Sequence, residues 1–113
     1  MLGQDLNATA PSGVELVALR RADLDITDSN AVGEAITRGA PDLIINAAAY
    51  TAVDDAETTP ELAFGVNADA VGTLAKVAEA VAAPLVHFST DYVFDGALTH
   101  PYGEDAPTHP LNV

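Results

Sequence analysis

Apolar and polar residues fall along this chain in blocks whose period switches between those of strands and helices. Residues 14–19, Val-Glu-Leu-Val-Ala-Leu, follow a Pro-Ser-Gly turn and read as a short strand. Residues 23–28 alternate polar with apolar, and Thr27 or Asp28 is placed to cap a helix from about Ser29 to Arg38. Val32, Ala35 and Ile36 share one face of that helix, and Gly39 is placed to end it. Residues 42–46, Asp-Leu-Ile-Ile-Asn, are apolar enough for a second strand covered on both faces. A polar loop is expected from Tyr50 to Thr59. Pro60 suits the first position of a long helix with Thr59 as its cap, running to about Ala82. Its apolar residues Leu62, Val66, Ala70, Leu74, Val77 and Val81 recur at spacings of three and four. Leu85 to Phe88 reads as a third strand, and the chain beyond Ser89 is loop-like and proline-rich. A short helix from Gln4 to Ala10 precedes these elements.

Strand, helix, strand, helix, strand is the order of an α/β fold with a parallel sheet and right-handed crossovers. Three units are too few to close a barrel, so the expectation is a doubly wound, Rossmann-like sheet. At 113 residues it is a single domain at most. Cysteine is absent, which removes disulfides and thiolate zinc sites, and His87, His100 and His109 lack metal-ligand spacing. His87 lies within a strand and is expected to be structural. No stretch approaches the roughly 18 apolar residues of a membrane span, and no signal peptide is evident, so a cytoplasmic location is expected.

Charge narrows the partners. Seventeen acidic residues against four basic ones give a net charge of −13. Phosphate neutralisation by a nucleic-acid binder needs clustered Lys and Arg, and only Arg20, Arg21, Arg38 and Lys76 are present. Nucleic acid and anionic membrane are therefore not expected partners. Self-repulsion at this charge is screened by salt, so stability should rise with ionic strength.

The candidate chemistry lies where strands end. Leu85 to Phe88 runs directly into Ser89, Thr90, Asp91 and Tyr92, four hydrogen-bonding groups at the carboxyl end of a parallel strand, where open α/β sheets bind ligands. Ser, Thr and Asp there are also ordinary turn formers. Asn46-Ala-Ala-Ala-Tyr-Thr51 ends the second strand, and its small side chains permit either a flat ligand close to the backbone or tight helix packing. Asp25 and Ile26 follow the first strand, where nucleotide-binding sheets often set an acidic group against the adenosine; a turn aspartate is the plainer reading. Gly3 precedes the first helix, but one glycine is not a phosphate-binding turn.

The order and spacing of these pieces resemble the dTDP-4-dehydrorhamnose reductase family, extended short-chain dehydrogenase/reductases of nucleotide-sugar metabolism. The segments that carry the resemblance are Leu2-Gly-Gln-Asp-Leu6, Ala22-Asp-Leu-Asp-Ile-Thr-Asp28, Pro41-Asp-Leu-Ile-Ile-Asn-Ala-Ala-Ala-Tyr-Thr-Ala-Val-Asp54, Ser89-Thr-Asp-Tyr-Val-Phe-Asp-Gly96 and Pro110-Leu-Asn-Val113. The resemblance implies a partial NAD(P)-binding Rossmann domain over residues 1–113. It also implies hydride transfer from NADH or NADPH to the C4 ketone of a dTDP-linked 6-deoxy-hexulose, giving dTDP-L-rhamnose. Thr90 would be the catalytic hydroxyl and a substrate contact, with Asp91 beside the substrate. Met1 and Leu2 match the end of the pyrophosphate turn, Asp25 and Ile26 the adenosine contacts, and Ala49, Tyr50 and Thr51 the nicotinamide side. Arg20 and Arg21 carry charge suited to a 2′-phosphate. Some members use Mg²⁺, which the resemblance therefore leaves open here, as it does a homodimer.

Two departures accompany the matches. The family's glycine-rich turn and its strand are represented only by Gly3, and the family's Tyr-Gly-x-x-Lys would follow Val113. The expectation is therefore a piece of a longer protein, inactive by itself, whose missing strand is central in the order 3-2-1-4. A five-residue apolar strand contributes about 5–10 kcal/mol of transfer free energy against a domain stability of about 5–15 kcal/mol, so loose folding or self-association is expected. Two alternatives are a non-catalytic relative like the regulatory subunit of methionine adenosyltransferase, and a nucleotide-sugar epimerase or dehydratase.

Overall fold

A computed structural model describes residues 2–113. In chain order it contains α1 (Leu2–Ala8), α2 (Ser29–Gly39), β1 (Ile44–Asn46), α3 (Val53–Thr58), α4 (Pro60–Phe64), a wide π-turn at Gly65–Asp69, α5 (Ala70–Ala80), β2 (Leu85–His87) and a 3₁₀ turn at Asp91–Val93. Residues 64, 65, 69 and 70 all keep right-handed helical dihedrals, so α4, the π-turn and α5 form one continuous helix from Pro60 to Ala80.

The sheet is the parallel pair β1–β2, with Ile44 opposite Leu85, Ile45 opposite Val86 and Asn46 opposite His87. Alternation along the strands sends Ile44 and Leu85 to one side. There they join Val32 and Ile36 of α2, Leu74 of α5, and Leu24, Ile26, Val77 and Val81 in the core. Ile45 and Val86 point to the other side and are 43% and 42% exposed. The expectation that β1 is covered on both faces therefore fails among the described residues: α2 and α5 share one face. This is a Rossmann-like α/β arrangement with an incomplete sheet.

Three further expectations are corrected. Residues 14–19 form no strand: they find no ladder partner among the described residues, and Val14, Leu16, Val17 and Leu19 stay exposed. An apolar run without a neighbouring strand has nothing to satisfy its backbone groups but water. The expected order 3-2-1-4, which separates β1 from β2, is replaced by their direct pairing. With residues 14–19 unpaired, β2 is the strand that satisfies β1, and Leu24 and Ile26 from the run at residues 23–28 pack on the same core. The loop from Tyr50 to Thr59 contains α3, whose first turn holds Asp54 and Asp55 against the positive end of the helix dipole.

Capping follows the sequence at one helix and departs from it at the other. Asp28 caps α2, its Oδ1 accepting from Asn30 N and Ala31 N at 3.0 Å each. Thr59 supplies no side-chain cap to α4; its hydroxyl donates backward to Asp55 O at 2.8 Å and closes α3 instead. Gly39 remains helical, and the left-handed residue that ends α2 is Ala40, at φ 41°. On the long helix the buried positions are Ala63, Ala70, Leu74 and Ala78, while Leu62 is 57% exposed. The π-turn intervenes between Leu62 and the regular stripe on α5, so the spacing of three and four does not carry back across it.

Candidate active site

Parallel pairing in register fixes where the loops emerge. Asn46 and His87 are ladder partners at the carboxyl ends of β1 and β2, so residues 47–51 and 88–92 leave the same edge of the sheet side by side. Asn46 is buried and ties that edge together. Its Nδ2 donates to His87 Nδ1 at 3.1 Å, and its Oδ1 accepts from Ala48 N at 3.0 Å. An amide nitrogen only donates, so His87 meets it with an unprotonated Nδ1 and carries its hydrogen on Nε2. His87 thus takes the structural role expected from its place in a strand.

Beyond Asn46, Ala47, Ala48 and Ala49 lie exposed, a strip of small side chains along the strand end. Tyr50 is held from a distance in sequence. Its backbone N–H donates to Asn67 Oδ1 at 2.8 Å, and Asn67 Nδ2 donates back to Tyr50 O at 3.0 Å. Asn67 lies inside the π-turn, and its amide serves the loop as a neighbouring strand would. Sequence reasoning missed this residue. The available signal was an asparagine, a poor interior helix former, between Gly65 and Asp69 within an otherwise strong helical stretch.

On the second loop, Thr90 Oγ1 accepts from Tyr92 N at 3.2 Å and donates to Asp91 Oδ1 at 3.3 Å. Thr90 and Asp91 are both exposed. The turn-forming and ligand-binding readings of this segment are therefore compatible. The hydroxyl that caps the 3₁₀ turn is also the one presented at the sheet edge, next to the strip of alanines.

The remaining expected residues are placed less directly. Asp25 Oδ1 accepts from Thr27 N at 3.0 Å and Thr27 Oγ1 at 2.8 Å. These bonds, with a smaller attraction from Arg21, hold its carboxyl below the usual carboxylate range. Asp25 is therefore a turn aspartate in this geometry, while Ile26 packs on the core of Val32, Ile36 and Leu74. Leu2 opens α1, and a Cβ added at Gly3 would lie 3.7 Å from Ala47 Cβ, which brings this helix up to the strip of alanines. Met1 lies outside the described residues. Arg20 sits in a turn with its Nε 3.7 Å from Asp23 Oδ2 and its side chain largely in water. Among the described residues no group of three or more His, Cys, Asp or Glu side chains is arranged to hold a metal ion, so the geometry lends Mg²⁺ no support. No described helix is long and apolar enough to cross a membrane.

The sheet edge is open: exposed alanines leave the backbone accessible, the Thr90 hydroxyl lies on the adjacent loop, and two exposed arginines lie on the segment leading to Asp25. The fold is of the Rossmann-like α/β class, with these two loops at one edge of its sheet. The whole chain, residues 1–113, matches the family model described as the RmlD substrate binding domain, and it belongs to that family. It is 46% identical over 108 residues to the dTDP-4-dehydrorhamnose reductase of Sinorhizobium fredii, covering 96% of this chain and 36% of the relative. It is also 46% identical to that of Streptomyces griseus, covering 100% of this chain and 38% of the relative. The chain thus spans a little over a third of the length of these relatives. The crystal structure of the Bacillus anthracis dTDP-4-dehydrorhamnose reductase in complex with NADP superposes with a TM-score of 0.95 at 35% identity, covering 98% of this chain and 40% of that one. The corresponding enzyme from Clostridium acetobutylicum gives 0.94 at 38% identity with the same coverage.

Proposed function

We propose that this chain is the coenzyme-binding part of a reductase that transfers hydride from NADPH to the C4 ketone of a dTDP-linked 6-deoxy-hexulose, giving dTDP-L-rhamnose. The observation that carries the reading is the in-register parallel pairing of Ile44–Asn46 with Leu85–His87. It sets residues 49–51 and Thr90 on adjacent loops at one edge, as a hydride donor and a ketone acceptor require. Family membership and the NADP complex of a relative support it.

The bound coenzyme would supply the hydride. Ala49, Tyr50 and Thr51 would line its nicotinamide side, with Tyr50 held in place through the Asn67 amide. Met1 and Leu2 would lie by the pyrophosphate and Asp25 and Ile26 by the adenosine. Arg20 and Arg21 are exposed cations on a strongly acidic chain, suited to a 2′-phosphate and hence to NADPH over NADH. Thr90 would hold the ketone oxygen through a hydrogen bond from its hydroxyl as negative charge develops there, and the proton that completes the alcohol would come from the family's tyrosine. To make its bond Thr90 gives up its 3.3 Å bond to Asp91, a long and exposed hydrogen bond that costs little to exchange. Asp91, freed in that exchange, would accept from a sugar hydroxyl.

The full gene product, incubated with NADPH and the 4-keto sugar nucleotide, is expected to oxidise NADPH in proportion to the ketone supplied. An epimerase or dehydratase would show turnover without net coenzyme consumption, and a purely regulatory protein would show none. Either result overturns the proposal.

A further inference from the structure

The loop after Thr90 is closed on one carboxylate that the reading above leaves unused. Asp95 Oδ1 accepts from Tyr102 Oη at 2.7 Å and from Ala97 N at 3.0 Å, and its Oδ2 lies 3.2 Å from His109 Nδ1. Tyr102 is fixed further. Its ring stacks on Phe94 with centroids 4.2 Å apart and planes 9° from parallel, and its hydroxyl accepts from Leu98 N at 3.3 Å. His109 N donates to Val93 O at 2.8 Å. Residues 94–109 are thereby folded back on their own start, which returns Leu111 and Asn112 to Asp91 and Tyr92. Asp91, Tyr92, Phe94, Tyr102, Leu111 and Asn112 line a cleft of about 460 Å³, together with Asp95 and Gly96. The lining is mostly apolar and aromatic, with Asp91 as its exposed carboxylate and no cation, so it is suited to the uncharged hydroxyl-bearing part of a ligand rather than to its phosphates.

We propose that Asp95 is a positioning residue. Through Tyr102 and His109 it sets the wall of a cleft that receives the sugar of the nucleotide-sugar substrate beside Thr90. The proposal rests on the reductase reading for the identity of that ligand, but the placement of the wall is observable without it.

The test compares the wild-type full gene product with Asp95→Ala, Asp95→Asn and Tyr102→Phe. Hydrogen exchange reads the wall directly. The amides of Ala97, Leu98 and His109 are expected to lose protection in Asp95→Ala. Unchanged protection overturns the assignment. Steady-state kinetics reads its purpose. KM for the keto-sugar is expected to rise at least tenfold in Asp95→Ala, with KM for NADPH and the melting temperature close to wild type. Tyr102→Phe should move the same way by less. Asp95→Asn, which keeps an acceptor for Tyr102 and Ala97, should recover most of the loss. A loosened wall with unchanged kinetics would reduce Asp95 to loop architecture and overturn the proposal. If the wild-type product turns over no keto-sugar, the reductase reading fails separately. Calorimetric binding of dTDP-glucose to wild type and Asp95→Ala then decides, equal affinities overturning the positioning role and at least tenfold weaker binding in the variant supporting it.

Discussion

Single residues make the most direct claims on this chain. Thr90 is the hydroxyl expected at the reacting oxygen, and replacing it by valine in the full gene product should lower kcat about 10²-fold. Serine should retain most of the rate. Steady-state turnover of the two variants checks this, and a valine variant as active as wild type would remove Thr90 from the chemistry. Asp95 offers a pH test. Tyr102, Ala97 and His109 hold its carboxyl down to about 2, from 3.8 in an unfolded chain. A depressed folded value means the stabilisation is present above about pH 4 and fades as pH falls through 2. Protease resistance of residues 96–109 should therefore persist at pH 5 and disappear towards pH 2, and Asp95→Asn should flatten that dependence. Ala40 sits at φ 41°, where a Cβ is strained. Ala40→Gly should raise stability by about 0.5–1 kcal/mol, seen as a higher melting temperature.

Elements show which parts of the fold a local pattern can announce. β1, β2, α2 and the long helix were legible because each is an apolar run or stripe with its own punctuation: Asp28 before α2, Pro60 at the start of α4. Thr90 and the Asn46-Ala-Ala-Ala-Tyr-Thr51 segment were legible because they follow those strands without a gap. Residues 14–19 carry an equally good strand pattern and are not a strand, because pairing needs a neighbour that the pattern cannot supply. Asn67 was illegible for a related reason, since its partner is Tyr50, seventeen residues away. Asp95 likewise looks like any loop aspartate until Tyr102 and His109 are folded onto it. The Asn67 amide makes a prediction at this scale. Asn67→Ala removes two hydrogen bonds at a solvent-accessible site, a cost of about 1 kcal/mol. Affinity for NADPH, measured by coenzyme fluorescence on the full gene product, should fall while the helix remains, as far-ultraviolet dichroism would show.

The whole molecule is unusually open. It exposes 8504 Å², against about 5,800 Å² for a compact monomer of its mass. Its radius of gyration is 15.7 Å, against about 13 Å for a compact chain of this length. The excess includes Val14, Leu16, Val17 and Leu19 and the uncovered side of the sheet, where Ile45 and Val86 stand. An uncovered strand edge and apolar surface of this kind favour association. The 113-residue chain expressed alone should therefore sediment as a mixture of species and bind a hydrophobic dye. A sharp two-state monomeric transition would contradict this. The charge of −13 adds that moderate salt should raise its melting temperature.

The wide turn at Gly65–Asp69 has a genetic consequence. It spends one more residue than a regular helical turn, so excising any single codon within it would restore ordinary winding. The flanking turns would keep their mutual phase, and only the local widening that presents Asn67 would vanish. Asn67 would lose its aim at the Tyr50 peptide even though its own codon is intact, and the helix, freed of an irregularity, would be locally more regular. In-frame loss of one residue there is thus expected to blunt coenzyme capture without melting the element that causes the defect.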